Sequence, residues 1–282
     1  MKRQKKIFVT KSSGSSAPYE RNKLKSSLEK SRADKKVIDS ILQHIDSIIY
    51  DGITTKEIYK LAYKLLYKKE RFTAEIYKLK SAIAELGPTG YPFEKFIGEL
   101  LAFKGYDVNV SQMISGACVD HEVDVFAEKD GKILLAECKF HTDPNRHSDV
   151  KVPLYIYSRF EDIFEAWEKD SNFNREFTEG RIYTNTRFTM DAKQFAKCKG
   201  ISLVAWDYPE KGSLKDQIDY SNLYPITCLS RLTKAEKQKL LNMDIVLVRD
   251  ICGQSDVLRK IGVEGEARIS NILRDAEKIC KK

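Results

Sequence analysis

The sequence predicts a multi-domain chain of mixed α+β class: a mostly helical N-terminal third, an α/β layer in the middle and a small all-α module at the end. Three observations predict it. Apolar residues at helical spacing run through 22–31, 35–49, 55–69 and 73–86, as in Ile58, Leu61, Ala62, Leu65 and Leu66. The string "GPTGYP" at 87–92 then breaks the pattern with two glycines and two prolines. Beyond it, strand-like runs alternate with helical ones to about residue 208, and the chain turns helical again from 233. Domains are therefore expected at 1–88, 91–208 and 233–282, with 209–232 as a loop-like linker.

Taken in order, "KIFVTK" is a short apolar run and "SSGSSAP" a turn, and the four helical stretches follow. In the middle region, Phe93, Phe96, Ile97, Leu100 and Leu101 mark one face of a helix that stops at Gly105. Strands are expected at 106–111, 121–128 and 132–140, and a helix over 159–169. "RIYTNT" and "ISLVAW" read as two further core strands with a helix over 189–199 between them. In the last region, "LRKIGVEGEARISNILRDAEKI" reads as helix, glycine-containing turn, helix.

Composition narrows the function classes. With 42% apolar and 32% charged residues among 282, the chain suits a soluble protein with two or three cores. It has no run of 18 apolar residues, so no membrane span is expected. The apolar block Ile7–Val9 after the basic N-terminus is too short for a signal peptide, which makes a cytoplasmic protein the expectation. Six cysteines at 118, 138, 198, 228, 252 and 280 form no CxxC pair, which argues for buried free thiols over disulfides or structural zinc. Residues 1–90 carry 20 Lys and Arg against 10 Asp and Glu, and the remainder 29 against 31. The basic excess in the N-terminal third points to an anionic partner, a nucleotide or a nucleic acid, with a solvated basic surface as the plainer reading.

The stretch "HEVDVFAEKDGKILLAECKFH" at 121–141 says most. Asp130-Gly131 reads as a two-residue turn, so Lys129 faces Lys132 and, pairing outward, Asp124 faces Glu137. Lys139 falls on the same sheet face, opposite the apolar Val123, Val125, Leu134, Ala136 and Cys138. Two carboxylates placed directly opposite repel. A divalent cation would turn that liability into a site, since Mg²⁺ takes one or two carboxylates with waters and phosphate oxygens. A nearby lysine could orient water or offset charge on phosphorus. The spacing alone equally allows a half-exposed hairpin whose outer face is charged. His121 and His141 bracket the hairpin and the register sets them near one another. A transition metal, proton transfer and local bonding are all open to them.

"VDVF" followed by "AECKF", after the helix in "GYPFEKFIGELLAFKGYDV", resembles the Asp…Glu-x-Lys core of the Mrr-type branch of restriction-endonuclease-like nucleases, over residues 91–208. The resemblance implies an α/β nuclease core in which Asp124 and Glu137 bind Mg²⁺ or Mn²⁺ and Lys139 is catalytic. Glu94 matches a supporting acid in the opening helix, although an acid near a helix N-terminus is also favoured by the dipole. Many of that branch carry Gln where this chain has Glu137, so an intact metal site is implied.

"VTKSSGSSAPYERNKL" and "AEIYKLKSAIAEL" resemble the opening and closing helix of the ATP-cone, a helical nucleotide-binding regulatory module with a short N-terminal β-hairpin. The resemblance implies binding of ATP or dATP, with Val9, Lys11 and Lys23 at the nucleotide and Arg21 beside them. No GxxxxGK[ST] loop occurs, so regulation is expected, not hydrolysis. "RKIGVEGEARISNIL" resembles a helix-hairpin-helix, with a helical packing module as the alternative. The expected activity is thus nucleotide-regulated, metal-dependent cleavage of DNA, in defence against foreign DNA or in repair. The alternative is a non-catalytic, nucleotide-sensing DNA-binding regulator on a nuclease scaffold. Double-strand cutting with one site per chain would favour a dimer.

Overall fold

The computed structural model describes residues 7–11, 14–171 and 173–280, without the side chain of Thr178. Residues 1–6, Ser12 and Ser13 of the N-terminal stretch and the last two residues of the C-terminal region lie outside these. Two compact units make up the chain, Met1–Leu79 and Lys80–Lys282. The division thus falls at 79 and not at the expected 88. Its cause is bonding within the second unit: Thr227 Oγ1 donates to the Ala82 carbonyl at 2.6 Å and Lys237 Nζ to the Glu85 carboxylate at 2.8 Å.

The first unit opens with the antiparallel hairpin β1 (Phe8–Thr10) and β2 (Ser16–Pro18). Four helices follow: α1 (Arg21–Lys30), α2 (Lys35–Ile48), α3 (Thr55–Lys69) and α4 (Arg71–Tyr77). Their starts are chemically marked. The Asp34 carboxylate accepts the Lys36 N–H at α2, and Thr54 and Glu57 close a reciprocal capping box at α3. Leu28, Ile41, Leu42, Ile45, Ala62 and Leu66 form the core. The single helix expected over 73–86 is split, because Lys78 leaves helical geometry (φ −83°, ψ 2°) before α5 (Leu79–Ala84).

In the second unit, α6 (Tyr91–Phe103) leads into β3 (Asp107–Ser115), β4 (Asp120–Lys129) and β5 (Lys132–Lys139), an antiparallel meander. The two-residue strand β6 (His147–Ser148) precedes α7 (Lys151–Lys169) and β7 (Glu176–Thr184). Then come β8 (Arg187–Phe188), which pairs with β6, and α8 (Met190–Lys199) with β9 (Ser202–Val204). The main sheet has the order β3-β4-β5-β7-β9, with β5, β7 and β9 parallel. On one face Phe160 and Ile163 of α7 and Ala192 and Ala196 of α8 join Ile133, Leu135 and Ile182 in the core. Against β3 lies α6, so closely that a Cβ on Gly98 would stand 3.2 Å from Val110. The β4–β5 turn is of the expected primed type, with φ 52° at Asp130 and 73° at Gly131.

Two elements begin earlier than expected. The helix predicted over 159–169 starts at Lys151, since Pro153 falls in its first turn, where no intrahelical N–H is needed. Strand β7 starts at Glu176, its first half being too polar to read as core.

The predicted linker 209–232 is packed structure. It holds α9 (Leu214–Ser221), boxed by Ser213 and Asp216, and a 3-10 turn at Ile226–Cys228. Leu214, Ile218, Leu223, Tyr224 and Ile226 are buried. An eight-residue helix gives too short a window for a periodic signal. Next are α10 (Lys234–Leu241), α11 (Ser255–Lys260) and α12 (Glu266–Cys280), the last two joined through Gly262 and Gly265 at positive φ as the sequence suggests. The segment between α10 and α11 is tied to α6 by Lys95–Asp244 at 3.2 Å and Arg249–Glu99 at 2.5 Å. Cys118 and Cys198 are exposed, against the expectation of buried thiols, while Cys228 is buried. Among the described residues no helix is long and apolar enough to cross a membrane.

Candidate active site

The hairpin register is the expected one from Lys129–Lys132 up to Val125–Ala136. There the ladder stops, so Asp124 and Glu137, next in line, are not the direct pair that the sequence suggests. Instead the Asp124 carboxylate accepts the Cys138 N–H at 2.7 Å. On the other flank of Asp124 the ladder is interrupted too. Ser111 stands between the pairs Val110–Val125 and Gln112–Val123 with φ at 55°, a strained value for a serine. The sheet therefore opens on both sides of Asp124.

Into this opening comes Glu94 from the first turn of α6, which Ser111 Oγ approaches at a long 3.5 Å. Glu94, Asp124, Glu137 and Lys139 line one cleft of about 400 Å³. The Lys139 backbone is pinned by Thr184 Oγ1, which donates to its carbonyl at 2.8 Å, while its side chain is exposed on the wall. Residues that sequence reasoning missed complete the lining: Lys151, Tyr155 and Arg159, at i, i+4 and i+8 on α7. That helical spacing is a readable signal, hidden because the helix was expected to start later.

The acids are held at high energy. Glu137 is only 6% exposed, and burial first, then Asp124, pushes its carboxyl up to about 8. Burial, then Asp124 and Glu122, raises Glu94 to about 7. Asp124 is raised mainly by burial, against the pull of the Cys138 N–H and Arg159. The Arg159 Nη1 lies 2.9 Å from Glu137 Oε1, yet at an angle that makes no hydrogen bond, so this buried oxygen has an ion-pair neighbour and no donor. Burial and the same acids also push the Cys138 thiol well up, away from the thiolate form.

Such a set fits a hard divalent cation: closely placed carboxylate oxygens, one of them buried without a donor. Among the described residues no group of three His, Cys, Asp or Glu forms a ready-made cage. A cation here would draw on the carboxylates of Asp124 and Glu137 with solvent or substrate oxygens. The two histidines are not brought to a common partner. His121 Nε2 meets Asp162 at 2.7 Å, and His141 Nε2 meets Ser148 Oγ at 2.9 Å.

In the first unit Val9, Lys11 and Lys23 line a pocket of about 230 Å³. Two residues the sequence did not suggest form its wall, Tyr59 and Tyr77, whose rings stack at 4.9 Å. Lys23 is exposed and pairs with Glu20 at 2.7 Å. Arg21 does not line the pocket, and its guanidinium engages Asp46 at 2.6 Å.

Comparison with known proteins agrees with this layout. The family model described as ATP cone domain matches residues 7–79, that of a restriction endonuclease 87–208, and that of AF1548-like proteins, C-terminal, 224–280. An uncharacterized protein of Archaeoglobus fulgidus is 35% identical over 184 residues, which cover 65% of this chain and 99% of that protein. The crystal structure of AF1548, a protein of unknown function, superposes with a TM-score of 0.56 at 32% identity, over 68% of this chain and 98% of that one. The MspJI restriction endonuclease in complex with a 27-mer oligonucleotide aligns at a TM-score of 0.34 and 15% identity, over 52% of this chain and 31% of that one, a likeness too slight to build on. The chain belongs to the family of AF1548-like proteins, as a restriction-endonuclease-like domain with its C-terminal helices, preceded by an ATP cone domain.

Proposed function

We propose that this protein is a metal-dependent endodeoxyribonuclease whose cleavage is governed by ATP or dATP at the cone. One observation carries the reading: Glu94, Asp124 and Glu137 are crowded with Lys139 into a single cleft, and a buried Glu137 oxygen lacks a donor. A structural role does not account for such crowding, since like charges in a half-buried cleft cost stability.

Asp124 and Glu137 would hold Mg²⁺ or Mn²⁺, which when bound polarises a phosphate oxygen and acidifies water. Attack of water on phosphorus forms one P–O bond and breaks one ester bond, the leaving oxygen taking up a proton. Lys139 orients the attacking water and offsets the charge that builds on the phosphate. Lys151 and Arg159 bring cationic donors to the same cleft, suited to the flanking backbone phosphates. In the cone, Lys11 and Lys23 meet the triphosphate, and the Tyr59–Tyr77 wall takes the base.

The test is cleavage of supercoiled plasmid and phage DNA with Mg²⁺ or Mn²⁺, with and without ATP or dATP, beside Lys139→Ala. Metal-dependent nicking that disappears in the variant is expected, with a rate that nucleotide changes. Inactivity across modified and branched DNA, with DNA binding indifferent to metal, would leave a DNA-binding regulator as the better account.

A further inference from the structure

The main sheet carries a second charged cavity, at its β9 edge. Glu137 pairs with Ile182 of β7, and both line the carboxylate cleft. Their neighbours along each strand point the opposite way. Ala136 pairs with Arg181, and Arg181 with Ser202 of β9. Arg181 and Ser202 line a cavity of about 420 Å³, together with Lys104, Lys193 and Lys197.

Its charge is out of balance. Glu179 is the one acid on the wall, and it is committed to Arg181, which also donates to the Tyr183 hydroxyl at 3.1 Å. Lys104 Nζ donates to the neutral amide oxygen of Gln217 at 2.8 Å. Lys193 Nζ lies 4.2 Å from the centre of the Tyr208 ring. Among the described residues neither Lys193 nor Lys197 has a carboxylate partner. Burial, then Arg181, holds the Lys104 ammonium down, to about 8. Four cations thus share a concave space with one acid. An anion with several oxygens offsets that repulsion and can take hydrogen bonds from several lysines at once. The space exceeds what a bare inorganic ion needs, and Ile201, Tyr208 and Pro209 give it an apolar wall for an organic body.

We propose that the cavity lined by Lys104, Arg181, Lys193 and Lys197 is a second anion site of this protein, taking a phosphate ester of nucleotide size at the β9 edge of the main sheet. It is separate from the cone pocket, whose lining residues all lie between Val9 and Tyr77. The phosphate comes either from a free nucleotide or from the backbone of a bound strand. In both cases the lysines of α8 supply the contact.

The experiment titrates the full chain, in EDTA so that nothing is cleaved, with inorganic phosphate, thymidine monophosphate and a short oligothymidylate, read by calorimetry. K193E/K197E and the milder K193Q/K197Q are compared with wild type, and Lys23→Ala serves as the cone control. Saturable binding that weakens roughly tenfold or more in K193E/K197E, less in K193Q/K197Q and not in Lys23→Ala is expected, the loss of about one charge-assisted hydrogen bond. A loss seen with thymidine monophosphate assigns the site to a free nucleotide. A loss confined to oligothymidylate, with the salt dependence reduced by a slope of about two, assigns it to a strand. The proposal is overturned if no probe binds saturably, or if both double variants, folded as judged by an unchanged thermal midpoint, bind as wild type does.

Discussion

The carboxylate cleft and the cone pocket handle charge in opposite ways. In the cleft, acids are buried together, carboxyl groups are raised to about 7 and about 8, and the cation nearest to Glu137 makes no hydrogen bond with it. In the cone, the pocket wall is largely apolar and aromatic, and the charges are exposed and already answered locally, Lys23 by Glu20 and Arg21 by Asp46. The first region stores repulsion that a ligand can relieve. The second offers a preformed surface whose ligand must compete with existing partners and water. Where a site is built at a cost, its residues stand out; where it is built from ordinary surface pairs, they do not.

The largest expected effect separates the two at once. Glu137→Gln should lower plasmid cleavage by roughly 10²–10³-fold or more, through loss of a metal ligand, and leave nucleotide binding at the cone unchanged. Above about pH 8, where Glu137 is ionised, the same substitution removes a buried repulsion, so without metal its thermal midpoint should there rise above that of wild type.

A pH series sharpens this. The folded-state carboxyls of Glu137 and Glu94 lie above their ordinary value, so the folded chain holds protons that the unfolded chain has already released. The stabilisation is complete below the ordinary carboxylate range and is lost as pH rises through about 7 and about 8. In EDTA the thermal midpoint should therefore fall toward pH 8, and saturating Mg²⁺ should flatten the slope. A midpoint that falls equally with and without metal would count against a metal site there.

Smaller effects belong to the cone. Lys11→Ala should weaken ATP binding roughly tenfold, measured by calorimetry, while nucleotide-free cleavage stays as in wild type. Smallest of all, Arg21→Ala loses an exposed ion pair worth less than about 1 kcal/mol and should leave ATP affinity nearly unchanged. A large loss of affinity there would mean that the guanidinium leaves Asp46 for the ligand.

Much of the cleft was legible because acids inside strands are unusual and the Asp130-Gly131 turn fixes their register. What could not be read were the breaks in both ladders at Asp124, one of them opposite Ser111 with its positive φ one strand away. Arg159 and Tyr155 were missed with the first half of α7, whose Pro153 reads locally as a stop. Along 209–232 the failure was one of length, since α9 and a 3-10 turn are too short to show a period, and only tertiary burial of Leu214 and Ile218 makes them structure. In the cone, lysine positions could be placed by resemblance. Tyr59 and Tyr77 come from different helices, and nothing local says that their rings meet.

The two-residue turn at Asp130-Gly131 acts on chemistry far from itself. Glu137 lies six residues beyond Gly131, about 20 Å along the strand, and every rung between depends on the count made at the turn. One inserted residue in that loop would slide β5 by a position and send the Glu137 carboxylate to the opposite face of the sheet, out of the cleft. The loop is exposed and touches nothing in the cleft, yet its length cannot drift. In this protein a surface hairpin sets the reading frame of the site.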